Sequence, residues 1–169
     1  MILNIVKYPE PILSQPGEPV TEFNAELCKL VADMFETTYA NQGIGLAAPQ
    51  VGVSKRVTVI DISMGKVPKD KLVLVNPEII LSEGKLYEEE GCLSFPDIRE
   101  KVVRAAKVRI RAQDEKGKWF EMDGDDLLAR CFQHEIDHLD GILFLFRMSA
   151  LKRSLNLRKI RKMQADGEW

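Results

Sequence analysis

Apolar positions along this 169-residue chain change their spacing several times, and those changes lay out the elements. From Asn24 to about residue 41 the period is helical, with Leu27, Leu30 and Val31 on one face and Asn24 suited to cap the start. Two β-branched runs follow, Arg56 to Ile62 and Lys71 to Val75, joined by a polar connection from Ser63 to Asp70. Glu78 to Glu90 and Lys101 to Ala112 read as further strands, and the turn Asp114-Glu115-Lys116-Gly117-Lys118 leads into Trp119-Phe120-Glu121-Met122. Helical spacing returns through Leu127, Leu128, Cys131 and Phe132. Asp125 and Asp126 favour the start of that helix, and Gly141 falls where a glycine stop belongs, so it spans about 125 to 140. Ser149 can cap a last helix running through Lys152 to Lys162, while Pro9, Pro11, Pro16 and Pro19 mark an irregular N-terminal segment. Strands preceding a late helix predict an α+β fold. Its strands are mostly antiparallel and pack around a central helix in the C-terminal half, with a basic helix at the end.

Composition narrows this only a little. The length suits one domain over residues 1–169, with no internal repeat or low-complexity segment. A net charge of −2 implies no general affinity for nucleic acid or membrane. No apolar run approaches a membrane span, and the N-terminus lacks the basic start and long apolar core of a secretory signal. Three cysteines, an odd number without a disulfide-like pattern, suit a reducing compartment, so the expected location is the cytoplasm.

The chemistry is concentrated in one string. Both histidines of the chain lie in His134-Glu135-Ile136-Asp137-His138, an H-E-x-x-H motif on the second predicted helix. Residues four apart on a helix share a face, so two imidazoles can hold one ion, and the Glu135 carboxylate can reach a water on it. The apolar flanks Cys131, Phe132, Leu139, Ile142 and Leu143 bury this helix, and a buried helix does not carry His, Glu and His without partners.

Two histidines leave the site short of a ligand. One peptidase pattern continues H-E-x-x-H-x-x-G-x-x-H; this chain follows it to Gly141 and then has Phe144 in place of the last histidine. The only later glutamate is Glu168, so the third ligand is expected upstream. Cys131 lies about 7–8 Å along the helix axis from a centre between residues 134 and 138, too far for a metal–sulfur bond of about 2.3 Å; it and Cys28 read as packing residues. Cys92, between Gly91 and Leu93-Ser94-Phe95-Pro96, is placed in a loop or edge strand where it can project at a site, although a cysteine there can equally be a buried loop residue. Three ligands and one open position would make the site catalytic.

Three strings in order now resemble the peptide deformylases: Gly43-Ile44-Gly45-Leu46-Ala47-Ala48-Pro49-Gln50, Glu90-Gly91-Cys92-Leu93-Ser94 and Gln133-His134-Glu135-Ile136-Asp137-His138. The resemblance implies metal ligands Cys92, His134 and His138, with Glu135 as acid/base. It implies an oxyanion pocket from the Gln50 side chain and the Leu93 N–H. The reaction implied is removal of the formyl group from formyl-methionine on nascent chains. An extended peptide would pair between Ile44-Gly45 and Gly91, with Arg99 contacting its carbonyls further along. Its methionine side chain would enter a pocket lined by Cys131 and its neighbours. Arg130 stands where relatives commonly have an apolar residue, which implies an altered pocket rim. The family implies one divalent ion, Fe2+ as the physiological metal, with Zn2+, Ni2+ or Co2+ able to occupy the site; the Cys/His/His donors alone favour zinc. The expected assembly is a monomer.

Two rival readings remain at this level. A zinc endopeptidase would share the helix but needs the missing downstream ligand, and a non-catalytic metal-stabilised binding module needs a fourth protein ligand. The terminal helix concentrates positive charge, which suggests docking to ribosomal RNA phosphates through Lys159, Arg161 and Lys162, or simply a solvated helix face.

Overall fold

The computed structural model describes residues 1–169 and has the α+β architecture expected. Helix α1 (Ala25–Ala40) starts at Asn24, whose side chain accepts from the Leu27 N–H at 3.0 Å. Strands β1 (Gly45–Ala47), β2 (Val57–Ile60) and β3 (Leu72–Glu83) follow, then the hairpin of β4 (Leu86–Cys92) and β5 (Phe95–Arg104). Strands β6 (Lys107–Gln113) and β7 (Trp119–Asp125) lead into α2 (Asp126–Leu139), and α3 (Ala150–Ala165) closes the chain. Every strand pairing is antiparallel: one sheet runs β1-β2-β3-β6-β7, and β4-β5 forms a second.

Two expected strands prove to be two each. Glu78–Glu90 divides at Gly84, whose φ of 71° turns the chain out of the large sheet and into the hairpin. The stretch from Lys101 to Ala112 divides at Ala105-Ala106, so that β5 belongs to the hairpin and β6 to the large sheet. From residue 78 to residue 85 every residue is exposed, so no change of pattern marks the first division, while buried Val102, Arg104, Val108 and Ile110 keep one alternation across the second.

Three apolar clusters hold these layers. One packs α1 (Leu27, Val31, Met34, Phe35) on β1 and β2. Another packs α2 (Ala129, Cys131, Phe132, Ile136) on Leu74, Val108 and Ile110 of the large sheet. The last joins β5 (Phe95, Ile98, Val102) to Leu143–Leu145 and to Ile160 of α3. Cys28 lies on the solvent face of α1, against the packing role expected for it.

The N-terminal arm runs across both sheets' ends. The Val6 N–H donates to the Gln50 carbonyl at 2.7 Å and the Tyr8 N–H to the Ser94 carbonyl at 3.0 Å. No helix is long and apolar enough to cross a membrane.

Candidate metal centre

Helix α2 is the hub of the site. It lies almost wholly buried from Ala129 to Leu139, with Asp140 ending it and Gly141, at φ 75°, turning the chain away. His134 and His138 therefore face inward together, their Nε2 atoms 3.2 Å apart. The β4–β5 hairpin brings Cys92 to them, with Sγ 3.3 Å from His138 Nε2. Ligand atoms of Cys92, His134 and His138 all lie within 4.8 Å of one another, and Cys131 is outside the group. Burial pushes the Cys131 thiol up to about 12, consistent with a neutral packing residue.

The donor set fits a divalent transition ion. Soft sulfur and two imidazole nitrogens converge on one point inside the protein, where their lone pairs have no other partner of opposite charge. The two imidazoles are shifted in opposite directions. Burial opposes charge on both, but Cys92 and Glu90 draw His134 well above the usual imidazole range, while burial and the His134 charge push His138 well below it. A bound cation replaces that unequal sharing of a proton.

One polar assembly behind the ligands was not read from the sequence. Glu90 Oε2 meets His134 Nδ1 at 2.6 Å, leaving Nε2 free to face the donors. Arg104 grips Glu90 through Nε at 3.0 Å and Nη2 at 2.7 Å, and its Nη1 reaches Asp137 at 2.7 Å. Arg147 adds a second fork on Asp137. Glu90, Arg104 and Asp137 are all buried, so each charge is answered inside the protein. Burial would raise the Glu90 carboxyl, yet hydrogen bonds from His134 and Arg104 hold it far below the usual carboxylate range. Strand alternation gave no sure signal for Glu90, since the register shifts between Gly91 and Cys92.

The same network holds Arg130, which lines the cleft: its side chain is buried, with Nη1 donating to the Glu88 carbonyl and to Glu90 Oε1, both at 3.0 Å.

Glu135 faces the cleft beside the donors, and its Oε1 is buried with no partner in the chain. Burial pushes its carboxyl up to about 7, the Glu90 charge adding to the shift and His134 and Arg104 opposing it. Gly45 of β1 makes room for this carboxylate: a Cβ there would lie 3.1 Å from Glu135 Oε2 and 3.2 Å from its Cδ.

Gln50 is buried and oriented at both ends. The Ala47 N–H donates to its Oε1 at 2.9 Å, while its Nε2 lies 3.1 Å from Ser94 Oγ and 3.6 Å from Cys92 Sγ. Leu93, in the turn between β4 and β5, has a backbone N–H that donates to nothing in the chain. Gln50 and Leu93 both line the cleft beside the ligand cluster. The cleft that opens from it has a volume of about 730 Å³, with Ile44, Gly45, Gly91, Arg99, Leu127 and Cys131 on its walls. Strand β1 pairs only with β2 and β4 only with β5, so each presents an unpaired edge. Arg99 is exposed, is held by Glu89 at 2.8 Å and lies over Gly91, where a Cβ would come within 2.8 Å of its Nη1.

The comparisons point one way. The family described as polypeptide deformylase matches residues 2–154. A peptide deformylase of Acidobacterium capsulatum is 70% identical over 169 residues, covering 100% of this chain and 99% of that protein. One of Heliobacterium modesticaldum is 50% identical over 147 residues, 87% of this chain and 94% of the other. Among solved structures, a peptide deformylase from Legionella pneumophila superposes with a TM-score of 0.90 at 48% identity, covering 98% of each chain.

Proposed function

The chain belongs to the peptide deformylase family, enzymes that hydrolyse the N-formyl group from the first methionine of newly made proteins, and from that premise we propose how its own residues divide the work. Cys92, His134 and His138 hold the family's single metal ion, Glu135 is the acid/base, and the Gln50 amide with the Leu93 N–H forms the oxyanion pocket. The observation that carries this reading is the convergence of three ligand atoms within 4.8 Å beside a buried glutamate oxygen that no group of the chain satisfies.

A divalent ion at these donors supplies Lewis acidity toward the formyl oxygen and lowers the pKa of a water. Glu135 accepts the proton of the attacking water, a role suited to a carboxyl whose pKa lies near the working pH. Charge then builds on the formyl oxygen, where Gln50 Nε2 and the Leu93 N–H donate to it. Gln50 needs no reorientation, because the Ala47 N–H already fixes its carbonyl end. Glu135 passes the proton to the departing amine, and formate leaves. The peptide lies extended between the free edges of β1 and β4, paired through main chain near Ile44, Gly45 and Gly91, with Arg99 over its continuation. Main-chain pairing tolerates many sequences, as an enzyme acting on many nascent proteins requires.

Fe2+ is the native ion in this reading, as in the family it resembles, and Zn2+, Ni2+ or Co2+ fit the same donors. A ferrous–thiolate site leaves Cys92 open to oxidation. The reading includes action as a monomer in the cytoplasm, a reducing compartment that three unpaired cysteines suit. Docking to the ribosome through α3 falls to Arg158, Arg161 and Lys162, which are exposed; Lys159 already donates to the Asp97 carbonyl at 3.2 Å.

The test is anaerobic incubation of ferrous protein with a formyl-Met peptide and its acetylated twin. Formate from the first alone, with internal bonds intact, is expected; internal cleavage of both would replace this reading with an endopeptidase. Charge-neutral substitutions at Arg161 and Lys162 should weaken ribosome co-sedimentation at low salt, and unchanged binding removes the docking role.

A further inference from the structure

Trp169 follows α3 and packs into the apolar cluster that holds β5, beside Tyr8 and Phe95. Its ring meets Phe95 edge-on with centroids 6.2 Å apart, and Tyr8 stacks on the same Phe95 at 5.0 Å. An indole has a single polar atom, a donor. Here that Nε1–H is spent on the Tyr8 carbonyl, at 2.6 Å. Tyr8 in turn donates its own N–H to the Ser94 carbonyl at 3.0 Å. None of residues 1–12 is buried, so the arm that includes Tyr8 takes its position from ties of this kind more than from a core of its own.

Ser94 is where this run of bonds enters the site. It is wholly buried, and its Oγ accepts from Gln50 Nε2 at 3.1 Å. A side-chain amide is planar and has two N–H donors. With Oε1 taken by the Ala47 N–H and one N–H taken by Ser94 Oγ, the direction of the other N–H is fixed by where Ser94 stands. We propose that Trp169 is a positioning residue: by holding Tyr8 it holds Ser94, and so aims the Gln50 amide at the formyl oxygen as charge builds there. Trp169 is not on the walls of the cleft and acts only through this run. The proposal rests on the deformylase reading of Gln50.

Trp169→Phe is the informative variant, since it keeps a ring against Phe95 and removes only the N–H. The experiment measures kcat and KM for a formyl-Met tripeptide, bound metal, and hydrogen exchange at the Tyr8 N–H, in the native enzyme, Trp169→Phe, Ser94→Ala and the double variant. In Trp169→Phe, kcat should fall about five- to fiftyfold, short of the roughly 10²–10³ lost with a whole oxyanion donor. KM should stay within about twofold and metal content should not change, because the loss is felt in the transition state. Ser94→Ala cuts the run before Gln50, so in that background Trp169→Phe should change kcat by less than about twofold. A native kcat in Trp169→Phe, or the same fall in both backgrounds, overturns the proposal. So does a fall in kcat that follows lost metal, which would route the effect through Phe95 and Phe144 to His134 instead. If Ser94→Ala does not fold, kcat, KM and metal content of the single variant decide. If the native enzyme releases no formate, the deformylase reading falls. Exchange at the Tyr8 N–H then still tests the hold itself: about tenfold faster in Trp169→Phe if Trp169 steadies the arm, unchanged if it does not.

Discussion

At the scale of single residues, the centre depends on contacts with little slack. Glu135→Gln should leave metal content intact and lower kcat by about 10²–10⁴, the usual worth of a positioned acid/base; parallel metal analysis and formate release check this, and a kcat within a few-fold of the native enzyme would remove Glu135 from the chemistry. Gly45→Ala is the subtler case. Its new methyl would press on Glu135 Oε2, Cδ and Cγ at 3.1–3.3 Å, so kcat should fall with metal bound and stability nearly unchanged. Glu90→Gln weakens the partner that fixes His134, and metal affinity should fall about 10–100-fold in competition with a chelator, as for other groups that orient a ligating histidine. The sequence made His134, Glu135 and His138 legible because helical geometry alone fixes their relation. It left Cys92 open because a loop cysteine has no such geometry. Arg104 was invisible, since nothing local ties an arginine on one strand to a glutamate on another and an aspartate on a helix.

Among elements, the buried ion network decides how the hairpin meets α2. Arg104 of β5 joins Glu90 of β4 to Asp137 of α2, so Arg104→Leu leaves Glu90 to Arg130 and Asp137 to Arg147 and takes one buried cation from between them. We expect a loss of about 3–5 kcal/mol in urea unfolding. Arg99→Ala removes an exposed pair with Glu89 and should change stability by less than about 1 kcal/mol while raising KM for longer peptides. A second latch joins α1 to the turn after β2: the Tyr39 hydroxyl donates to Asp61 at 2.6 Å, and Asp61 also accepts from Ser63 and the Gly65 N–H. Burial and the Asp61 bond raise the Tyr39 hydroxyl to about 12. A raised pKa binds its proton more tightly in the folded state, so this contribution is complete below about pH 10, the unfolded tyrosine value, and fades toward pH 12. Burial would raise Asp61, but its hydrogen bonds outweigh that and hold it low. Its share is therefore present above about pH 4, near the unfolded aspartate value, and lost as acid is added. Tyr39→Phe should flatten the alkaline limb of a stability-against-pH curve, and an unaltered limb would assign it to other groups. Periodicity found these elements but ran β3 into β4 and β5 into β6. At the first join Ile79, Ile80 and Leu81 are apolar but exposed in a row, so no inside–outside pattern marks where one sheet gives way to the other; at the second the alternation simply carries through.

For the molecule as a whole, the three apolar clusters are separate, and the ligands come from elements anchored in two of them: Cys92 packs against the cluster of β5 and Phe144, and α2 is rooted in the cluster of the large sheet. An ion held by Cys92, His134 and His138 would tie those bodies together. Any ligand that binds only the folded state stabilises by mass action, about 2.7 kcal/mol at a hundredfold excess over its Kd. Chelation should therefore lower the melting temperature and readdition restore it, with Cys92→Ala insensitive to both; calorimetry with and without chelator is the measurement. The α+β class was legible from the order of elements. The place of the cleft, between Ile44-Gly45 and Gly91, came from the resemblance and not from that order, because the pattern of elements had merged the two sheets that flank it.

The arm near the start of the chain gives the oxyanion pocket an unexpected dependency. Val6 and Tyr8 bond to the carbonyls of Gln50 and Ser94, one in the 3-10 turn after β1 and one in the turn between β4 and β5, whose side chains meet at 3.1 Å. A three-residue stretch thus works as a gauge bar: its backbone length holds together the two turns, the jaws that carry the Gln50 amide and the Leu93 N–H. Engineering at that end, whether a fusion partner under tension or a proline replacing Val6, would be felt in turnover before it was felt in folding, since the jaws would drift apart while both sheets stayed whole.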